Sequence, residues 1–134
     1  VALVIVSLAL TAAAFRYDPG RPPVELRRNE LEIHSWFYGM TVEAASVDVN
    51  TVRVVDLLSE KDWRPVRRVG GFGNSHYRSG NFRTANGRAV KLFTTGSQKL
   101  VLLPPRTEAG MPVLLDVTDP ERFAEQVREA WKER

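Results

Sequence analysis

The sequence contains no cysteine, two methionines and two histidines among its 134 residues. Without cysteine the chain can form neither disulfides nor thiolate metal sites, and it is compatible with a reducing compartment. A strong charge of one sign is lacking too. Nineteen Lys and Arg face sixteen Asp and Glu, a net +3, too mild and too evenly scattered to point to nucleic acid. No internal repeat or low-complexity tract is evident. With 43% hydrophobic residues, a chain of this length can bury one respectable core and no more.

Charge is absent altogether from Val1 to Phe15, VALVIVSLALTAAAF. No polar face exists to make this run a surface helix, so the favoured reading is a transmembrane helix over residues 1–15. Fifteen residues fall short of the roughly 20 that span a bilayer, and because the chain opens on Val rather than Met, this reading expects further apolar residues upstream. The second reading is a secretory signal with Ala12-Ala13-Ala14 as its small-residue cleavage site, and the third a buried core segment. Arg16, Arg21, Arg27 and Arg28 follow the run. Under the positive-inside rule they place the following domain in the cytoplasm, behind a single pass or the last of several. Tyr17 to Pro23, YDPGRPP, is punctuated by Pro-Gly and Pro-Pro, so residues 16–23 read as a juxtamembrane linker and residues 24–134 as one domain.

Within that domain the most informative stretch is Tyr77 to Gly96, YRSGNFRTANGRAVKLFTTG. Asn86-Gly87 is a hairpin signal. A two-residue loop would set Phe82 opposite Lys91 and Arg83 opposite Val90, mixing apolar and charged groups on each face. A three-residue loop, Ala85-Asn86-Gly87, sets Phe82 opposite Val90 and Gly80 opposite Leu92 on one face, with Arg83 opposite Ala89 and Asn81 opposite Lys91 on the other. The expected product is a half-buried antiparallel sheet. Other β-like runs are Val24–Arg27, Leu31–Phe37, Met40–Val42, Val47–Leu57, Lys99–Leu103 and Val113–Val117. Leu31, Ile33 and Ser35 alternate with Glu32, His34 and Trp36, so the first face is expected inward. Ser59 to Gly73, with Pro65, Gly70, Gly71 and Gly73, reads as a long and partly irregular connection.

The chain closes on a helix. Thr118 or Asp119 can cap it, Pro120 suits the first turn, and Glu121 favours the positive end of the dipole. Phe123, Val127, Ala130 and Trp131 form one stripe, opposite Arg122, Glu125, Gln126, Arg128, Glu129 and Lys132.

Strands followed by one amphipathic C-terminal helix, with the hairpin SGNFRTANGRAVKLFTTG, the run KLVLLPP and the segment DVTDPERFAEQV, resemble the bacterial pleckstrin-homology-like (PH-like) families that follow transmembrane segments. The resemblance implies a mainly β fold of seven or so antiparallel strands, bent into a barrel or sandwich and capped by the helix. It implies no reaction, since such folds host lipid-binding, peptide-binding and purely structural roles. Phosphoinositide-binding PH domains resemble one another in a basic pattern across the first two strands. Here Arg27 and Arg28 are followed at once by Glu30 and Glu32, and those carboxylates oppose a multiply charged headgroup.

The remaining constellations are weak. Gly70-Gly71-Phe72-Gly73 lacks the Gly-Lys-Ser/Thr of a phosphate loop, and the dinucleotide spacing fails because position 76 is His. It reads as a mobile connection. His34 and His76 lie apart in sequence with no clustered carboxylate motif, so no metal site is expected and no cofactor is implied. Ser35, Glu30, Glu32, Glu43 and Asp48 show no nucleophile or paired-acid signature, and the chain reads as a non-enzyme. Of the consecutive aromatics Trp36, Phe37 and Tyr38, at least one is expected exposed or under the helix. Arg64, Arg67, Arg68, His76, Arg78 and Arg83, interleaved with Trp63, Phe72 and Tyr77, are the candidate contacts for an acidic partner or for anionic lipid headgroups. Their bland reading is a solvated arginine-rich surface. Two functions survive. One is a membrane-anchored protein-interaction or assembly module that meets another protein or copies of itself. The other is peripheral sensing of anionic lipid through the arginine-rich segment.

Overall fold

The computed structural model describes residues 24–34, 40–73 and 78–132, and for residues 70–73 and 78 the backbone alone. The apolar run Val1–Phe15, the linker, the aromatic trio Trp36 to Tyr38, Ser35, His76 and Tyr77 fall outside the described residues. Among those that are described, no helix is long and apolar enough to cross a membrane. The strands are β1 (Val24–Leu26), β2 (Glu30–Ile33), β3 (Met40–Glu43), β4 (Arg53–Asp56), β5 (Pro65–Gly73), β6 (Arg78–Thr84), β7 (Ala89–Thr94), β8 (Lys99–Leu103) and β9 (Val113–Leu115), followed by helix α1 (Pro120–Trp131). They form a three-stranded sheet, β1-β2-β3, and a six-stranded sheet in the order β4-β8-β9-β7-β6-β5.

The hairpin forms in the register its loop requires. Phe82 faces Val90, Gly80 faces Leu92, Asn81 faces Lys91 and Arg83 faces Ala89. Across the loop, the Thr84 N–H donates to the Arg88 carbonyl and the Gly87 N–H to the Thr84 carbonyl, both at 2.9 Å. Gly87 takes φ +82, and a Cβ there would meet nothing within 4 Å. Glycine is therefore required for backbone conformation and not for space. The Asn86 carboxamide oxygen accepts from the Arg88 N–H at 3.1 Å and from the Thr84 hydroxyl.

Both faces of the large sheet are packed, where the hairpin alone indicated one. Val101, Leu103, Val113, Leu115 and Phe93 point into a core shared with the three-stranded sheet and α1. Leu100, Leu102, Leu114, Leu92, Val90 and Phe82 point the other way, into a second cluster closed in part by Leu57 and Trp63. The continuous apolar runs of β8 and β9 are what such two-sided burial demands. Leu31 and Ile33 are buried, as their alternation predicts.

Three expectations need correction. Ser59–Gly73 is not an irregular connection, because Pro65–Gly73 forms the longest strand described, and Gly70-Gly71-Phe72-Gly73 is strand backbone paired with β6. The run Val47–Leu57 is broken by a 3-10 turn at Val49–Thr51, leaving Arg53–Asp56 as strand. The sheet is not purely antiparallel. β9 inserts between β7 and β8, which run oppositely, so it is antiparallel to β8 and parallel to β7.

The helix follows its sequence signals. Asp119 caps it, accepting from the Arg122 N–H at 3.4 Å, and Pro120 opens the first turn. Phe123, Ala124, Val127 and Trp131 are buried, each large side chain contributing about 1.5–3 kcal/mol of transfer free energy. Two polar ties that the periodicity does not reveal fix the docking. The Trp131 indole N–H donates to the Arg27 carbonyl at 2.9 Å, and the Arg128 guanidinium donates to the Val52 carbonyl at 2.6 Å.

Candidate functional site

β5 is one of the two edge strands of the six-stranded sheet. It pairs with β6 on one side, and among the described residues no strand pairs with the other. Its register slips twice, between Pro65 and Arg67 and between Arg68 and Gly70. Val66 and Val69 are the residues left without a partner in β6, which makes each the extra residue of a bulge. They are 64% and 58% exposed, and Leu58, in the turn before the strand, is 55% exposed. Bulges and arginines on an edge discourage indiscriminate pairing. Exposed valines do not serve that purpose.

The strands divide the arginines predicted as one patch. Arg67 stands directly opposite Arg83 across β5 and β6, both exposed, whereas Arg68 stands opposite Phe82 on the other face of the sheet. Like charges placed directly opposite are unfavourable in an isolated sheet. The Arg83 guanidinium donates to the Gly87 carbonyl at 2.9 Å and the Arg64 Nε to the Leu57 carbonyl at 2.9 Å. Trp63 is half-buried against the second cluster, with the guanidinium of Arg88, from the turn between β6 and β7, 5.7 Å from its ring centre, so this ring belongs to the packing. The backbones of Phe72 and Arg78 pair with Ser79 and Gly73. His76, also a candidate, lies outside the described residues.

A second cluster was not expected from the sequence. Glu25 and Glu32 are cross-strand partners in β1 and β2, and His34 lies two residues beyond Glu32 on the same outward side. Oxygen and nitrogen atoms of the three lie within 4.8 Å of one another. The Arg27 guanidinium bridges the carboxylates, its Nη2 lying 2.6 Å from Glu25 Oε2 and 2.8 Å from Glu32 Oε2, while Nη1 reaches Glu30 at 3.4 Å. Arg27's hydrogen bond, aided by its charge, holds the Glu32 carboxyl below the usual carboxylate range, and Glu32 in turn raises the Arg27 guanidinium. With three carboxylates around it, Arg27 is poorly placed to receive a phosphate, as the proximity of Glu30 and Glu32 in sequence indicated. The cue for the cluster was the Glu-x-His alternation of β2. It becomes informative once the β1–β2 register puts Glu25 beside it.

A third polar group is structural. The Asp116 carboxylate is fully buried and accepts from the Thr94 hydroxyl at 3.3 Å, the Thr95 N–H at 3.0 Å and the Thr95 hydroxyl at 2.9 Å. Its donors belong to the end of β7 and the turn beyond it, so it ties that turn to the end of β9.

Two packed sheets and a C-terminal helix make the described residues a small mainly β module, consistent with the PH-like class. The chain belongs to the Bacterial PH domain family, whose model matches residues 23–130. No curated protein and no solved structure matches it.

Proposed function

We propose that the chain is a non-catalytic interaction module that receives an acidic segment with apolar side chains along β5, and that the apolar run Val1–Phe15 holds it at a membrane. The observation that carries this reading is the edge itself. Two bulge valines stand in solvent beside an arginine pair, Arg67 and Arg83, whose like charges call for an anionic counterpart. Removing the valines from water would favour association, and the arginines would orient a partner of opposite charge. That partner is another protein or a second copy of the chain. The Arg67–Arg83 pair also supports the second reading, contact with anionic lipid headgroups.

A photo-crosslinker placed at Val66 in the full chain, reconstituted with neutral or with anionic lipid, tests both. An adduct with protein that disappears when Val69 is replaced by Glu supports the interaction module. An adduct with lipid that requires anionic headgroups transfers the edge to the lipid reading. Absence of either adduct overturns the role given to β5.

A further inference from the structure

We propose that Glu25, Glu32 and His34 form a binding site for a divalent transition-metal cation of the zinc class on the outer face of the three-stranded sheet. His34 Nε2 lies 3.5 Å from Glu32 Oε2 and 3.7 Å from Glu25 Oε2. Tetrahedral zinc with bonds of about 2.1 Å has ligand-to-ligand edges of about 3.4 Å, so the imidazole nitrogen already stands at nearly that spacing from both oxygens. The two oxygens come from directly paired residues of β1 and β2, so the two side chains start from neighbouring positions set by the sheet and not by a loop. His34 is nearly half exposed, leaving a fourth position open to water, and a mixed imidazole and carboxylate set suits zinc over magnesium.

A cation already converges on this point. Arg27 Nη2 touches the same two oxygen atoms that face His34. The Arg27 guanidinium carries one positive charge on a face that also holds Glu30 opposite Glu43, and a doubly charged ion would compensate more of that negative charge. Metal binding therefore displaces Arg27 from Glu25 and Glu32, and the guanidinium is a competitor of the ion.

Titration of the untagged full chain with zinc chloride, followed by calorimetry, tests this. One saturable equivalent is expected, insensitive to an equal concentration of magnesium. His34→Ala should weaken it by about tenfold or more, since even outer-sphere losses have effects of that size. Arg27→Gln should tighten it by removing the competitor. Glu30→Gln, on the same face but outside the trio, should leave affinity within about twofold, as expected of a charge that is not a ligand. The site is overturned by an absence of saturable binding, by His34→Ala binding as well as the parent, or by Glu30→Gln costing as much as His34→Ala. Weaker binding by Arg27→Gln would equally overturn it, because the guanidinium would then organise the site and not compete for it.

Discussion

At the scale of single residues, the molecule uses its polar groups in two ways. Asp116 is buried and meets hydroxyl and amide donors at the turn after β7. Arg27 and Glu32 sit at the surface, where ion pairs add little to stability because solvent screens them. Their effect appears in titration. Arg27 hydrogen-bonds Glu32 at 2.8 Å and lowers its carboxyl, against the opposing effect of Glu32's own desolvation. A carboxyl lowered in the folded state contributes stability that is complete above its ordinary range and is lost as pH falls through the lowered value. Arg27→Gln should therefore move the Glu32 titration midpoint to higher pH, read from its side-chain carboxyl carbon by NMR. An unmoved midpoint would mean that Arg27 is not the cause.

At the scale of elements, how a segment begins decides how well it can be read. α1 is announced by Asp119, Pro120 and an apolar stripe, but Asp119 also takes φ 51, in the left-handed region. That conformation favours glycine, while the cap favours aspartate. Asp119→Ala, which keeps the strain and loses the cap, should cost about 1 kcal/mol, and Asp119→Gly only a few tenths. Urea unfolding of the two variants distinguishes them, and an equal cost would show that the left-handed backbone is not limiting. The same local logic explains what was legible. Asn86-Gly87 sets its own register within a few residues, so β6 and β7 could be paired residue by residue. β5 concealed itself because Pro65, Gly70, Gly71 and Gly73 disfavour strands, and the bulges at Val66 and Val69 erase the two-residue period. The arginines of the candidate surface were visible, but their division between two faces depends on those bulges. Glu25 and His34 meet through a cross-strand register that no single run of sequence encodes.

At the scale of the whole molecule, a net charge of +3 conceals a separation. Glu25, Glu30, Glu32 and Glu43 line one side of the three-stranded sheet, and arginines line the β5 edge of the six-stranded sheet. Cross-strand pairs of like charge occur at both places. At the basic edge, the proposed function requires that Arg67 opposite Arg83 cost the free domain stability which a bound anionic segment would return. Arg67→Gln isolates the two effects, because Arg83 keeps its bond to the Gly87 carbonyl. The variant should be more stable than the parent by about 0.2–1 kcal/mol at low salt, the size of a cross-strand pair term. That gain should fade as salt rises and the screening length falls from about 10 Å at 0.1 M to about 3 Å at 1 M. Under the same low-salt conditions the crosslinked adduct at Val66 should diminish. Stability and association moving in opposite directions would locate the function at this edge. If Arg67→Gln instead destabilised the domain, the guanidinium would belong to the fold, and β5 would lose its strongest claim to a partner.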